Sequence, residues 1–357
     1  MSTDKPVAVV TGSSGLIGYE VSERLIEEFH VMGFDRPGVP HPPPDAENIP
    51  FDLTSDESIR DAFDVVRRQY GNRIATVIHL AAYYDFSGKS SPLYDQVTVQ
   101  GTRRLLYALR SFEVEQFIFS STMLVHAPCQ PGQKITEDWP LEPKWEYPQS
   151  KVTTEQLIRD ARCSINAVML RIAGVYNDMC HSIPIAQQIK RIYERQMLSH
   201  VFPGDTSHGQ AFVHLDDTVD SILHTVRHRR ELPAEVPILI GEPETLSYEE
   251  IQKQLGRLIH GEDWNTVQIP KAMAKAGAWV QDKLPLGEEP FIKPWMIDLA
   301  DDHYELDITR ARQLIHWEPR HNLRDALPLM VEALKRDPVR FYEENNLDPS
   351  PPRSTGG

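Results

Sequence analysis

The stretch Thr11-Gly12-Ser13-Ser14-Gly15-Leu16-Ile17-Gly18 limits what this chain can fold into more than any other. The apolar run Val7-Ala8-Val9-Val10 precedes it, and a helical pattern with Val21, Leu25 and Ile26 on one face follows at once. That order predicts strand, glycine-rich turn, helix. In such a unit Gly12 permits the tight turn, Gly15 lets a pyrophosphate approach the backbone, and Gly18 lets the helix pack on the strand. Ser14, Leu16 and Ile17 stand at the helix start, where free N–H groups and the positive dipole end favour phosphate. The next apolar run, Val31-Met32-Gly33-Phe34, ends in Asp35. A carboxylate there accepts hydrogen bonds from both ribose hydroxyls of an adenosine and repels a 2′-phosphate. The expected cofactor is therefore NAD rather than NADP, a preference that Arg36 weakens.

Strand and helix patterns alternate through the first half. Residues 36–50, with Pro42-Pro43-Pro44, read as a surface loop. Phe51-Asp52-Leu53 reads as the end of a short strand, where Asp52 either reaches the adenine amino group or caps the next helix. A helix is predicted over 58–70, and a buried strand over 74–80. That strand ends in His79-Leu80-Ala81-Ala82, small residues where a backbone can meet the cofactor. His79 reads as a core histidine, not a catalyst. The loop 83–91 carries Tyr83, Tyr84 and Asp85 and leaves the carboxyl end of a strand, where ligands of open α/β sheets bind. A long amphipathic helix is expected over 92–112, a strand at 117–119 ending in Ser120-Ser121-Thr122, a helix from Tyr147 to about residue 162, and strands at 167–172 and 236–240. The expected fold is α/β: a Rossmann-like doubly wound parallel sheet with a smaller C-terminal α/β substrate lobe. Residues 1–176, joined by about 212–241, form the dinucleotide-binding part in this reading. Residues 177–211 and 242–347 form the lobe, and 348–357 a disordered tail.

The formal charge of −15 gives nucleic acid no electrostatic footing. No apolar run is long enough to span a bilayer, and Met1 to Pro6 is polar, without a signal-peptide pattern. Cys129, Cys163 and Cys180 have no metal-ligand spacing and suit a reducing compartment, so a cytoplasmic protein is expected, with no metal. Residues 272–284 read as a lid or packing helix.

Tyr147 and Lys151 are four apart at a helix start, so their side chains share a face. A tyrosine with a pKa of about 10 is a poor base at neutral pH. A nearby ammonium, and the positive nicotinamide of NAD, stabilise the phenolate. Tyr147 can then take a proton from a secondary alcohol as hydride leaves, or protonate a reduced ketone in the reverse direction. Thr122, at a strand end, offers a hydroxyl to orient the reacting oxygen.

These pieces together resemble the extended branch of the short-chain dehydrogenase/reductase family, of the NAD-dependent epimerase/dehydratase type. The resemblance is carried by the 11–18 turn, Asp35, Asp52-Leu53, His79-Leu80-Ala81-Ala82, Ser121-Thr122, Tyr147 with Lys151, Arg171 with Val175-Tyr176, and Phe212 with Asp216-Asp217. It implies a Tyr/Lys/Thr triad of Tyr147, Lys151 and Thr122, a lobe that takes a small-molecule substrate, and a homodimer bundled through the helices around Val99 and Val152. Several departures bear on substrate. Met123-Leu124 replace the Asp-Glu pair of the dehydratases. Gln210 stands where many nucleotide-sugar members carry a pyrophosphate-binding arginine, and Arg191 or Arg195 is a candidate replacement. Ile172 and His126 also depart from the pattern. The loop with Asp85 is more similar to those of steroid dehydrogenase and flavonol reductase relatives. Three functions compete: a sugar or nucleotide-sugar epimerase, a net NAD(P)-dependent dehydrogenase or reductase of a non-nucleotide substrate, and a non-catalytic NAD-sensing module.

Overall fold

The structure is a computed structural model that describes residues 5–85, 90–275 and 294–348. Its centre is a seven-stranded parallel sheet. In chain order the strands are β1 (Val7–Thr11), β2 (His30–Asp35), β3 (Glu47–Pro50), β4 (Thr76–His79), β5 (Gln116–Thr122), β6 (Asn166–Ile172) and, late in the chain, Glu235–Ile240. That last strand pairs with β6 at one edge, and β3 closes the other, so the spatial order runs from it through β6, β5, β4, β1 and β2 to β3. The order reverses between β1 and β4, and the carboxyl ends on either side of that switch point form the ligand crevice expected of an open α/β sheet.

Helices cover both faces because the strands are apolar on both. Along β1, Val7 and Val9 enter one buried cluster while Ala8 and Val10 enter another. The same alternation puts Phe117 and Phe119 on one side of β5 and Ile118 on the other. Helix α1 (Leu16–Leu25) lies on one face. Helices α2 (Asp56–Tyr70), α3 (Gln100–Leu109) and α4 (Glu146–Ala161) lie on the opposite one. A third cluster, separate from both faces, is built by helices over Ile183–Tyr193, Tyr248–His260, Leu323–Arg336 and Pro338–Glu344. Its apolar residues include Ile185, Ile189, Leu255, Trp264 and Leu327.

Three expectations change. The loop expected over 36–50 contains β3, which pairs in parallel with Met32 to Asp35. Pro50 hid it, since proline is tolerated on an edge strand that donates no further ladder bond. The strand expected over 74–80 is broken at Ala75: Arg73–Ile74 pairs with Glu113–Val114, and only Thr76–His79 joins the main sheet. The helix expected over 92–112 begins as a π-helical segment, Tyr94–Val99, before α3. Phe86, most of the helix expected at 272–284 and the tail at 349–357 lie outside the described residues.

Candidate active site

The glycine turn has the shape its sequence requires. Gly12 has φ of +72°, and a Cβ there would stand 2.9 Å from the backbone nitrogen of Ala81. A Cβ on Gly18 would stand 2.0 Å from the Gly12 carbonyl oxygen, so the helix approaches the strand as closely as only glycine permits. No side chain caps α1, whose N-cap is Gly15. Its first N–H groups are left for a ligand. The hydroxyls of Ser13 and Ser14 are buried without a partner among the described residues. Asp35, at the end of β2, accepts from the Ser14 and Arg36 backbone nitrogens at 2.9 and 2.8 Å and so is fixed beside the turn. An uncapped helix start, orphaned buried hydroxyls and an oriented carboxylate fit the phosphates and ribose of NAD.

Asp52 instead accepts from both the backbone nitrogen and hydroxyl of Thr54, each at 2.8 Å, while Ser55 caps α2. Leu53 is buried against Gly101, and its side chain belongs to the core. Leu80 and Ala82 line the crevice, and Ala81 donates its N–H to the Thr11 hydroxyl at 3.2 Å. His79 is the core histidine expected. Its ring lies between the hydroxyls of Thr11 and Thr102 at 2.7 and 2.9 Å, and burial with the Lys151 charge pulls it down to about 3.

Beyond this cradle lies a cavity of about 640 Å³. Thr122 at the end of β5 and Tyr147 and Lys151 on α4 all line it, together with Ile17 from the cofactor side. Lys151 Nζ donates to the Ser120 carbonyl at 2.7 Å and sits 5.6 Å from the Tyr147 ring centre. Thr122 lines the cavity with Tyr147 and favours its ionised form. Burial pushes the Tyr147 hydroxyl up to about 12, with Thr122 pulling it back and Tyr94 adding to the rise. Burial pulls Lys151 down to about 7, and Glu155 opposes that shift. The expected lowering of Tyr147 by Lys151 does not contribute in the protein alone, where desolvation dominates.

Glu155 is a residue that the motif reading passed over. It continues the Tyr147–Lys151 spacing by one more turn, and that repeat of four was the available signal. It is fully buried, accepts from Ser121 Oγ at 2.6 Å, and is held by Arg171 through Nε at 3.1 Å and Nη2 at 2.7 Å. Two successive residues of β5 are therefore bonded to side chains of α4, Ser120 to Lys151 and Ser121 to Glu155, and the next residue, Thr122, lines the cavity with Tyr147.

The candidate substrate residues separate. Asp85 does not line the cavity. Its backbone nitrogen and carbonyl meet the Tyr94 hydroxyl at 3.3 and 2.9 Å. Its neighbour Tyr84 lines the cavity instead, edge-on to Tyr147 with ring centres 4.9 Å apart. Gln210 lines it too, but its amide donates to the Asp302 carbonyl at 2.7 Å. Arg191 lines it, whereas Arg195 is exposed and faces Glu262 at 3.5 Å. Met123 and Leu124 present apolar side chains where a dehydratase would need acids. Trp145 and Trp295, not anticipated, form an aromatic wall with ring centres 5.0 Å apart. No group of three cysteines lies close enough to hold a metal, and the one described His/Asp/Glu cluster, His214 with Asp216 and His321, lies outside the cavity.

A family model described as the NAD dependent epimerase/dehydratase family matches residues 8–241. The chain is 23% identical to a 3-beta-hydroxysteroid dehydrogenase of Mycolicibacterium neoaurum, over 92% of this chain and 91% of that one. It is 24% identical to a UDP-glucuronate 4-epimerase of Thermodesulfobacterium geofontis, over 92% of this chain and 96% of that one. Among solved structures it resembles the UDP-glucose 4-epimerase of Thermus thermophilus in complex with NAD, with a TM-score of 0.69, 20% identity, and coverage of 92% and 99% of the two chains. The UDP-glucuronic acid 4-epimerase of Bacillus cereus, in complex with UDP-glucuronic acid and NAD, is alike with a TM-score of 0.68, 21% identity, and the same coverage.

Proposed function

The chain belongs to the NAD dependent epimerase/dehydratase family, and from that premise we propose that it exchanges a hydride at a secondary alcohol or ketone, as an epimerase of a sugar or nucleotide sugar. It is an NAD-dependent enzyme. The observation that carries the proposal is the meeting of Thr122, Tyr147 and Lys151 on one wall of a cavity that continues from the glycine-turn cradle. The residues that would hold NAD are Gly12, Ser14, Gly15, Leu16, Ile17 and Gly18 at the pyrophosphate, Asp35 at the adenosine ribose, and Leu80, Ala81, Ala82, Tyr147 and Lys151 towards the nicotinamide. Asp52 and Leu53 would stand at the adenine end, where the Asp52 carboxylate is the group able to meet the adenine amino group. Bound NAD supplies a hydride acceptor and a positive ring.

Tyr147 moves the proton at its hydroxyl. Lys151, anchored by the Ser120 carbonyl, presents its ammonium beneath the tyrosine ring and favours the phenolate. Thr122 orients the reacting oxygen. Epimerisation requires the ketone to offer its other face to the same hydroxyl, so Tyr147 serves both half-reactions. A second reading, net dehydrogenation or reduction of a non-nucleotide substrate, is supported by the commitment of the Gln210 amide to Asp302 and by the aromatic wall. The assembled Tyr147, Lys151 and Thr122 speak against a purely NAD-sensing module.

The test is mass spectrometry for NAD retained by the purified protein, combined with turnover of a panel of nucleotide sugars and secondary alcohols. Retained oxidised NAD and a changed configuration without net NADH favour the epimerase. Stoichiometric NADH favours the second reading, and no conversion of any alcohol or ketone by NAD-loaded protein rejects both.

The same proposal assigns 1–176 with about 212–241 to NAD and 177–211 with 242–347 to substrate, a division supported by the separate cluster of the later helices. It takes the protein to be a cytoplasmic homodimer through the Tyr94–Leu109 and α4 helices, a reading supported by three unpaired cysteines and by Tyr107, which is 73% exposed on α3. No helix among the described residues is long and apolar enough to cross a membrane. A monomeric mass by light scattering at micromolar concentration rejects the dimer.

A further inference from the structure

The charged groups of the cavity wall are few and nearly all engaged. Lys151 is bound to the Ser120 carbonyl, and Lys144 faces Asp302 at 3.0 Å. His181 lies between Asn177 at 2.7 Å and Glu344 at 3.4 Å. Among the described residues Asp302 is the single carboxylate on the wall, and Lys144 pairs with it. Arg191 differs. Its guanidinium makes no side-chain hydrogen bond or ion pair among the described residues, although it stands in the last turn of the Ile183–Tyr193 helix and lines the cavity. Burial destabilises its charge, and the nearby Tyr248 opposes that effect. Arg191 is half-buried, and an anion in the cavity would give its unpaired guanidinium two directed hydrogen bonds.

Most of the cavity wall is aromatic and aliphatic. Trp145 lies 5.4 Å from Tyr147 and 5.0 Å from Trp295, centre to centre. Near Arg191, Phe202 stacks on Tyr248 with centres 3.9 Å apart. Met296 and Leu299 fill the stretch beside Trp295. Polar groups are a minority of this lining, so a ligand with hydroxyls on every side would lose water from more of them than could find partners. A flat carbon skeleton loses little and gains contact with the rings.

We infer that the substrate is an amphipathic secondary alcohol or ketone, with a flat and mainly apolar body and one anionic group, carboxylate or phosphate, received by Arg191. The inference rests on the second reading above, net dehydrogenation or reduction of a non-nucleotide substrate, and narrows its substrate; tighter binding of UDP-glucose would return the site to the sugar-epimerase reading. Arg191 and Tyr147 belong to different parts of the fold, one on the lobe helix and one on α4, so the anion and the reacting carbinol lie at different walls. Arg191 is then the residue that sets specificity, and the position of Gln210 is relieved of that task.

The probes are allolithocholic acid, whose trans-fused rings are flat, its neutral methyl ester and UDP-glucose, titrated into NAD-loaded protein while tryptophan fluorescence is read. The acid is expected to bind roughly ten- to hundredfold tighter than the ester, the worth of a charge-assisted hydrogen bond. Arg191→Met should bring the two to the same affinity without loss of NAD binding, and Arg191→Lys should restore part of the difference. Equal binding of acid and ester to the unmodified protein overturns the inference. So does a preference for the acid that survives in Arg191→Met, or tighter binding of UDP-glucose than of the acid. Tyr147→Phe should keep the preference for the acid while losing turnover. Normal turnover by Tyr147→Phe would reject Tyr147 as the proton-transfer group, while an acid preference would still mark Arg191 as an anion receptor.

Discussion

Lys151 Nζ donates to the Ser120 carbonyl at 2.7 Å, and this bond holds a buried ammonium below the Tyr147 ring. Burial pulls Lys151 down to about 7, against the opposing charge of Glu155. Between that value and the ordinary lysine pKa of about 10.4, the unfolded chain binds a proton that the folded protein does not. Stability contributed by this group therefore rises with pH through that window. Lys151→Met removes the penalty. Its urea midpoint should exceed that of the unmodified protein at about pH 6, and the gap should close by about pH 10. The same variant should bind NAD more weakly and need higher pH to turn over. An unchanged pH dependence of the urea midpoint would show that the ammonium is not desolvated in solution.

Tyr147→Phe keeps the ring, and with it the edge contact to Tyr84, but removes the proton-transfer hydroxyl. Turnover should fall by roughly 10²- to 10⁴-fold while NAD affinity hardly moves. Thr122→Ala should show the same pattern with a smaller loss. Steady-state rates measured beside NAD titrations decide it.

Asp35 is fixed at the turn by the backbone nitrogens of Ser14 and Arg36. Asp35→Ala should narrow the preference for NAD over NADP, because the repulsion of a 2′-phosphate is removed. Tighter binding of NADP than NAD by the unmodified protein would contradict the role given to Asp35.

Glu155 is held against the cost of its own burial by Arg171, Ser121 and Arg159, which together keep the carboxyl below its usual range. Its contribution to stability is present above the unfolded value of about 4.3 and is lost as pH falls through the lower folded value. Glu155→Gln should cost about 3–5 kcal/mol, since it leaves Arg171 buried without a carboxylate. Glu155→Gln combined with Arg171→Met should recover much of that loss in urea unfolding at neutral pH. The double variant should also unfold less steeply on acidification.

The chemistry-bearing positions were legible because each depends on local order. A glycine turn between an apolar run and a helix, or a tyrosine four residues before a lysine, states its geometry in the sequence. Strand β3 was illegible because a proline in an edge strand looks like a proline in a loop. The broken strand at Ala75 reads as one continuous apolar run. The cavity wall was hidden for a different reason. Trp145 and Trp295 are far apart in the chain, and their meeting is a property of how the lobe closes on the sheet. Asp85 could not be distinguished from Tyr84 by residue type, because only the path of the loop decides which neighbour faces the cavity.

The π-helical segment Tyr94–Val99 has a consequence for how the cavity rim tolerates insertions and deletions. A wide turn accommodates one residue more than an α-helix does, so the phase of the helix changes between its two ends. Upstream, Tyr94 meets the backbone of Asp85, and Thr98 accepts from Tyr83; downstream, Leu105 and Leu106 reach the core. Rewound as ordinary helix with no residue lost, and with α3 anchored in the core, the segment would turn its upstream side chains by about 100°, and Tyr94 and Asp85 would part. Loss of one residue would instead let it rewind with both ends in place. The wide turn thus works as a phase shifter that lets one helix serve the core and the rim at angles no uniform helix could satisfy together.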